Sequence, residues 1–304
     1  MSRNILIGGI SGLIGSKLAK FLTPEYKIRG LVRDVEKAKS KIPFVDFYSW
    51  NDDESLLINL IEDTDILVNL SGRSIAKGRW TEKTKREIYT SRIETTKKLV
   101  ELISKSSKKP ESFIVASAVG YYGFDINNIS DENSPPSDDF LGKVCVDWEN
   151  ASSLVDQFNV RRVNVRISTV LSRDGGALPL ISLPFKFFVG GYFGSGNQFF
   201  PWIHEKDLIR LFKFVIENNS ISGPINAVSP QAVTMKEFCE TLGKVLKRPC
   251  WIRIPEWKMK LLLGEMADLL IKGGKVIPKK ALEVGFEFEF ESLELALKDL
   301  FRKF

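Results

Sequence analysis

Histidine is almost missing from this chain: His204 is the single one in 304 residues. Cysteine is scarce as well. Cys145, Cys239 and Cys250 lie far apart, with no Cys-x-x-Cys. Residues this sparse cannot furnish a classical zinc site or a disulfide framework, and unpaired thiols fit a reducing compartment. There is no run of about 18 apolar residues, so no segment is expected to span a membrane. The start, "MSRNILIGGISGLIG", has its glycines at turn positions and no small-residue cleavage site. It reads as mature structure and not as a signal peptide. A dense Lys/Arg patch interleaved with aromatics is also lacking. The net charge of +6 is modest, and nucleic acid is not the expected partner. Internal repeats and low-complexity segments are absent.

What is present is an ordinary globular composition, 43% hydrophobic and 27% charged. Short β-rich runs alternate with longer amphipathic ones. Asn4–Ile7, Lys27–Val32, Val45–Phe47, Ile66–Leu70, Phe113–Ala116 and Arg162–Ile167 read as strands. Leu13–Leu22, Glu54–Ile61, Thr81–Ser104 and Lys143–Gln157 read as helices. Alternation at this spacing predicts a parallel sheet covered on both faces, and the nearly all-apolar central strands agree. The expected fold is α/β, a Rossmann-type doubly wound parallel sheet with a smaller α-rich substrate-side and C-terminal region. Residues 1–171 form the dinucleotide-binding domain, with its sheet completed by 206–230. The rest, 172–205 plus 231–304, is the second region. The Gly-, Pro- and Phe-rich stretch after Ser172 reads as loops over a site. Thr234 and Glu237 have capping-box spacing.

"ILIGGISGLIGSKLAKFL" places Gly9, Gly12 and Gly15 between the first strand and the first helix. Gly9 permits the tight turn, Gly12 lets backbone approach a pyrophosphate, and Gly15 lets helix and strand pack closely. Ser11, Leu13 and Ile14 complete a turn whose helix N-terminus faces the anion. Arg33 follows the second strand and suits a ribose 2′-phosphate, while the adjacent Asp34 suits a free ribose. NADP is therefore favoured over NAD.

The segments "GGISGLIG", "VNLSG", "RWTEKTKREIYTSRIETTKKLV", "SAVGYYG", "KVCVDWE", "GSGNQFFPWIHEKDL", "GPINAVSP" and "GGKVIPKKALEVGF" run through nearly the whole chain. Together they resemble the extended short-chain dehydrogenase/reductase superfamily. More narrowly, they resemble an atypical, epimerase-like branch with a small C-terminal domain of unknown function. The resemblance implies a nicotinamide cofactor, cytosolic or organelle-stromal residence, and redox or epimerase chemistry on a small carbonyl, hydroxyl or nucleotide-sugar-like substrate. It implies that Asn69, Leu70, Ser71 and Gly72 pass the adenosine ribose. It also implies that Ser117 hydrogen-bonds a substrate carbonyl and that Lys143 contacts the nicotinamide ribose. The superfamily's proton donor is a tyrosine four residues before the lysine, and here Asp139 stands there. An aspartate beside a lysine stays ionised, so it can act as a base but is a poor acid. Alternatively it is only a helix-start charge.

Other groups can take over proton transfer. Tyr121 and Tyr122 follow Ser117 at a strand's C-terminal edge, as donors or as pocket walls. His204 titrates near neutrality and lies in "PWIHEKD", with Trp202 and Asp207 flanking it. Arg79 and Trp80 can clamp an anionic or ring-shaped substrate, while Arg73, Lys77, Arg86 and Arg92 read mostly as a solvated helix face. The tail helix "EWKMKLLLGEMADLLIKGG" either packs on its own domain or offers its apolar residues to a membrane surface, a second copy or a partner chain. Two readings of function remain. One is an NADP-dependent oxidoreductase or epimerase. The other is a non-catalytic NADP(H)-binding redox sensor or scaffold.

Overall fold

The computed structural model describes residues 3–76, 78–125 and 127–302. The N-terminal half runs β1 (Asn4–Gly8), α1 (Leu13–Leu22), β2 (Lys27–Val32), α2 (Val35–Lys41), β3 (Asp46–Ser49), α3 (Glu54–Glu62), β4 (Ile66–Asn69) and α4 (Glu82–Lys105). It continues with β5 (Ser112–Ala118), β6 (Ile129–Ser130), α5 (Phe140–Ser153), β7 (Arg161–Ile167) and β8 (Thr169–Leu171). Then come α6 (Ala177–Lys186), β9 (Gly190–Phe193), β10 (Trp202–His204), α7 (Glu205–Glu217), β11 (Gly223–Ala227), α8 (Met235–Leu246), β12 (Cys250–Ile254) and α9 (Glu256–Leu263). The tail adds α10 (Asp268–Ile271), β13 (Lys275–Val276), α11 (Lys279–Glu283) and α12 (Leu293–Phe301).

Seven strands form one sheet in the order β11-β7-β5-β4-β1-β2-β3, every pair parallel. The side-chain alternation of a strand sorts its apolar residues between two cores. Ile5 and Ile7 face one core, with Leu18 of α1 and Leu208 and Phe212 of α7. Leu6 faces the other, with Leu57 of α3, Leu99 of α4 and Trp148 of α5. Burying both faces is what the uninterrupted apolar strands require. Truncating a side chain such as Phe113, which is wholly buried, would cost about 3–5 kcal/mol.

The order reverses between β1 and β4, which opens a crevice beyond their C-terminal ends. α4 is a single unbroken helix of 24 residues, with the Thr81 hydroxyl accepting from Thr84 N–H at its start. β11 rejoins the sheet beside β7, as the sequence suggested.

A third core lies outside the sheet. Leu178, Ile181 and Phe185 of α6 pack there with Phe238 and Leu242 of α8 and Leu297 of α12. The segment expected to be loops thus carries a helix. Pro179 is tolerated because it falls in the first turn, where backbone N–H groups have no intrahelical partner. Thr234 and Glu237 do form a capping box at α8. The tail helix is broken at Gly264, whose φ of 62° ends α9. Within α9, Met259 is buried while Trp257, Leu261 and Leu262 are exposed. No helix among the described residues is long and apolar enough to cross a membrane.

Candidate functional site

The glycine turn closes between β1 and α1 against the loop after β4. Gly9 has φ 75°, and a Cβ there would lie 2.7 Å from the Leu70 carbonyl carbon and oxygen. A Cβ on Gly15 would lie 2.6 Å from Gly9 O. Side chains are thus excluded at both positions by backbone. Gly12 caps α1 without any side-chain hydrogen bond, and Ser11 and Gly12 are exposed. Leu13 and Ile14 are half-buried beside them. A helix start left open, with its first N–H groups facing a crevice, fits a dinucleotide's phosphates.

The loop after β4 is held from below. Asn69 is wholly buried, donating to Thr96 Oγ1 at 3.0 Å and accepting from Ser71 N–H at 3.1 Å. Its side chain is spent on shaping the loop, so only the backbone of this stretch faces outward. Ser71 Oγ is buried and has no hydrogen-bond partner. Leu70 is half-buried and Gly72 is exposed.

At the end of β2, Arg33 is exposed and makes no ion pair or hydrogen bond among the described residues. Asp34 caps α2, accepting from Lys37 N–H at 3.0 Å. The acid that would serve a free ribose is therefore committed to a helix.

At the end of β5, Ser117 is buried and donates to Glu149 Oε1 at 2.7 Å. Glu149 is held bidentately by Arg166 of β7, with both N···O distances 2.9 Å. Burial opposes the Arg166 charge, but Glu149 more than offsets it and its pKa lies above the ordinary arginine value. Arg166 also donates to the Tyr122 hydroxyl at 2.8 Å and stacks 3.5 Å from the centre of the Tyr121 ring. Tyr122 is buried and donates on to Asn226 Oδ1 at 2.8 Å; burial pushes its pKa up to about 12. Tyr121 is half-buried, and its hydroxyl has no partner among the described residues.

Residues 5–227 match the family model for the NAD dependent epimerase/dehydratase family. Residues 254–300 match a domain of unknown function. The chain belongs to the NAD-dependent epimerase/dehydratase family. An epimerase family protein of Bacillus subtilis, YfhF, is 38% identical over 98% of this chain and 97% of its own. The chloroplastic SDR39U1 homologue of Arabidopsis thaliana is 39% identical over 97% of this chain and 85% of its own. The crystal structure of human SDR39U1, solved with NADPH, superposes with a TM-score of 0.89 at 34% identity and covers 98% of both chains. The Rossmann fold and the atypical, epimerase-like branch expected from the sequence are thus established, and this family binds nicotinamide dinucleotides.

Several side chains expected at the epimerase-family site are employed elsewhere. Asp139 is the N-cap of α5, accepting from Gly142 N–H at 2.9 Å. The helix-start reading of this residue is the one its geometry supports. Lys143 is exposed and makes no side-chain hydrogen bond or ion pair among the described residues. The α5 groups near Ser117 are Glu149 and Cys145. Burial pushes the Cys145 thiol up to about 12, and its sulfur lies 3.6 Å from Ala118 O.

His204 is wholly buried as the N-cap of α7, with Nδ1 accepting from Lys206 N–H at 3.1 Å. Its ring stacks 3.8 Å from Phe290, and Nε2 faces the Asp299 carboxylate at 3.4 Å. Burial lowers its pKa to about 4 despite Asp299. The imidazole is neutral, with its proton on Nε2, and is closed off from solvent. Trp202 is equally buried, donating to Gln231 O at 3.1 Å, and belongs to the third core. Asp207 is buried as well. It accepts from Glu289 and Phe290 N–H and ties the tail to α7.

Arg79 donates to the carbonyls of Leu261 and Leu262, in the last turn of α9, as a basic C-terminal cap. Trp80 donates to Ile75 O at 2.8 Å and meets Phe140 edge-on. Neither is free to clamp a substrate. Arg73 pairs with Glu87, and Arg86 is exposed. Lys77 lies outside the described residues.

Sequence reasoning missed Glu149 and Arg166, and Arg92, expected on a solvated helix face, is half-buried and donates to Ile88 O at 3.0 Å. One signal for Arg166 was available: a charge inside the apolar strand "VNVRIS".

Proposed function

We propose that this chain is an NADP(H)-binding oxidoreductase or epimerase of the short-chain dehydrogenase/reductase type. Its substrate is a small molecule bearing a hydroxyl or carbonyl, and Tyr121 is the proton-transfer group. The NADP preference is carried by one observation, the division of labour between Arg33 and Asp34. Arg33 is free at the end of β2, while Asp34 is committed to capping α2. A guanidinium suits a 2′-phosphate, and a carboxylate already accepting an N–H is poorly placed for a ribose hydroxyl. NADPH in the human relative's structure supports the same reading.

Bound along this edge, the dinucleotide supplies hydride transfer. Gly9, Gly12 and Gly15 admit its phosphates, and Arg33 holds the 2′-phosphate. Ser117, whose hydroxyl donates to Glu149, would accept from a substrate hydroxyl. Tyr121 gives or takes the proton, since its phenol is the one among the sequence candidates left without a partner. Proton transfer by a positioned side chain is worth typically about 10²–10⁴ in rate. The unpaired thiols fit a reducing compartment, cytosolic or stromal.

The test is a titration of NADPH and NADH, followed by reduced-nicotinamide fluorescence. Arg33→Glu should weaken NADPH by at least about 10-fold, the scale of one lost charged contact, and leave NADH nearly unchanged. Equal weakening of both would remove the NADP assignment. NADPH-loaded protein mixed with a small-molecule extract of its own cells should then lose reduced-nicotinamide absorbance.

A non-catalytic redox sensor is the second reading. It is favoured by the loss of the usual acid, since Asp139 caps α5. Tight NADPH binding with no absorbance loss in any extract would select it.

A further inference from the structure

α6 is apolar on two faces, and one of them is exposed. Leu178, Ile181 and Phe185 point into the third core. Leu180, Leu183 and Phe187 recur at helical spacing on the opposite side, with Leu180 63% and Phe187 70% exposed. A helix that is apolar all round is normally covered all round. The chain then turns through Phe188 and Val189, both exposed. Phe188 has φ 60°, a left-handed conformation that strains a bulky residue and leaves glycine unstrained. Trp251 of β12 donates to Phe188 O at 3.1 Å, which holds its ring, 72% exposed, beside this turn. The patch is therefore contiguous, built by α6, the turn after it and the start of β12.

Its margin is basic. The turn after α6 ends at Gly190, where a Cβ would lie 2.5 Å from Pro249 O, so the α8–β12 loop packs against it. Lys244, Lys247 and Arg248 line one shallow depression at that loop together with Glu240, which faces Lys236 at 3.9 Å. Arg248 lies 4.3 Å from the centre of the Phe188 ring, and Lys186 is exposed between Leu183 and Phe187. Among the described residues Lys186, Lys247 and Arg248 form no ion pair. Exposed rings and aliphatic chains bordered by Lys and Arg suit a lipid interface. The apolar groups enter the acyl boundary, while long basic side chains keep their charges among the headgroups. A second copy of this chain fits the patch less well, since a two-fold contact would set the same cations against each other.

We propose that the α6 face docks on an anionic lipid bilayer surface. Leu180, Leu183, Phe187 and Trp251 enter the interface, and Lys186, Lys247 and Arg248 meet lipid phosphates. The attachment is peripheral and is independent of the NADP(H) reading above.

The test is sedimentation of the whole chain with vesicles of phosphatidylcholine, with and without phosphatidylglycerol. The protein should sediment with the anionic vesicles, and raised salt should release part of it. Phe187→Ser with Trp251→Ser should weaken that binding by at least about 10-fold, because two large apolar side chains no longer leave water. Lys186→Glu with Lys247→Glu should weaken it by at least about 10-fold as well, through the reversed charges alone. Both double variants alter exposed side chains, so their urea melts should stay near that of wild type, which separates lost docking from lost folding. Failure to sediment with either vesicle, equal binding to both, or undiminished binding by the Phe187→Ser/Trp251→Ser protein would overturn the proposal. So would light scattering that shows a wild-type dimer which this variant turns into a monomer, because the face would then be a contact between copies.

Discussion

Ser117 of β5 gives its hydroxyl proton to Glu149 of α5 across 2.7 Å, and Glu149 is gripped on both oxygens by Arg166 of β7. A helix and two adjacent strands are thereby joined at the edge where ligands of this fold bind. The ion pair is nearly enclosed, with the Arg166 side chain 4% exposed and that of Glu149 12%. Removing one partner strands the other. Glu149→Ala should destabilise the protein by about 3–5 kcal/mol in a urea melt. A loss below about 1 kcal/mol would mean that water replaces the carboxylate easily, as at an exposed pair.

The two neighbouring tyrosines should part company. Tyr122 is bonded on both sides, to Arg166 and Asn226. Tyr122→Phe leaves buried groups unsatisfied and should cost about 1–3 kcal/mol of stability. Tyr121→Phe should leave stability and NADPH affinity unchanged and cut turnover by at least about 10²-fold. Full turnover in that variant would remove Tyr121 from the chemistry.

Asp139 occupies the place of a catalytic tyrosine in the sequence pattern, yet its role here is a cap. Asp139→Asn keeps an acceptor and should leave the melting curve almost unmoved. Asp139→Ala should cost about 1 kcal/mol. Neither should alter NADPH affinity, which a fluorescence titration would show.

His204 gives the fold a pH dependence. Its folded-state pKa is depressed to about 4, while the unfolded chain titrates at the ordinary value near 6.5. The unfolded state therefore binds the proton first. Stability held above about pH 6.5 is lost as the pH falls toward 4, by up to about 3 kcal/mol. His204→Asn retains a capping acceptor and should flatten the wild-type slope across that window. Denaturant midpoints at several pH values would reveal it, and an unchanged slope would assign the acid sensitivity to carboxylates.

The chain order of strands and helices was legible because periodicity and turn residues are local. Burial on both faces makes Ile66–Val68 continuously apolar, and the glycine spacing marks positions in the β1–α1 turn where backbone leaves no room for a side chain. α6 was not legible, because Pro and Gly density masks a helix that has Pro179 in its first turn and Pro184 in its interior, and that is held by the third core. The break at Gly264 was missed for the opposite reason, since its flanking apolar residues continue a helical pattern.

The sequence by itself determined the parallel sheet, the phosphate turn and the family, all of which rest on contacts between near neighbours or on fixed spacing. Only the tertiary structure decided which polar groups are free. Whether Asp34, Asp139, Arg79 and His204 face a ligand or a helix end depends on partners brought together by folding. A hydrogen bond already made inside the protein takes up the donor or acceptor that it uses. Arg33 and the Tyr121 hydroxyl, left without such partners among the described residues, became the groups on which function is argued.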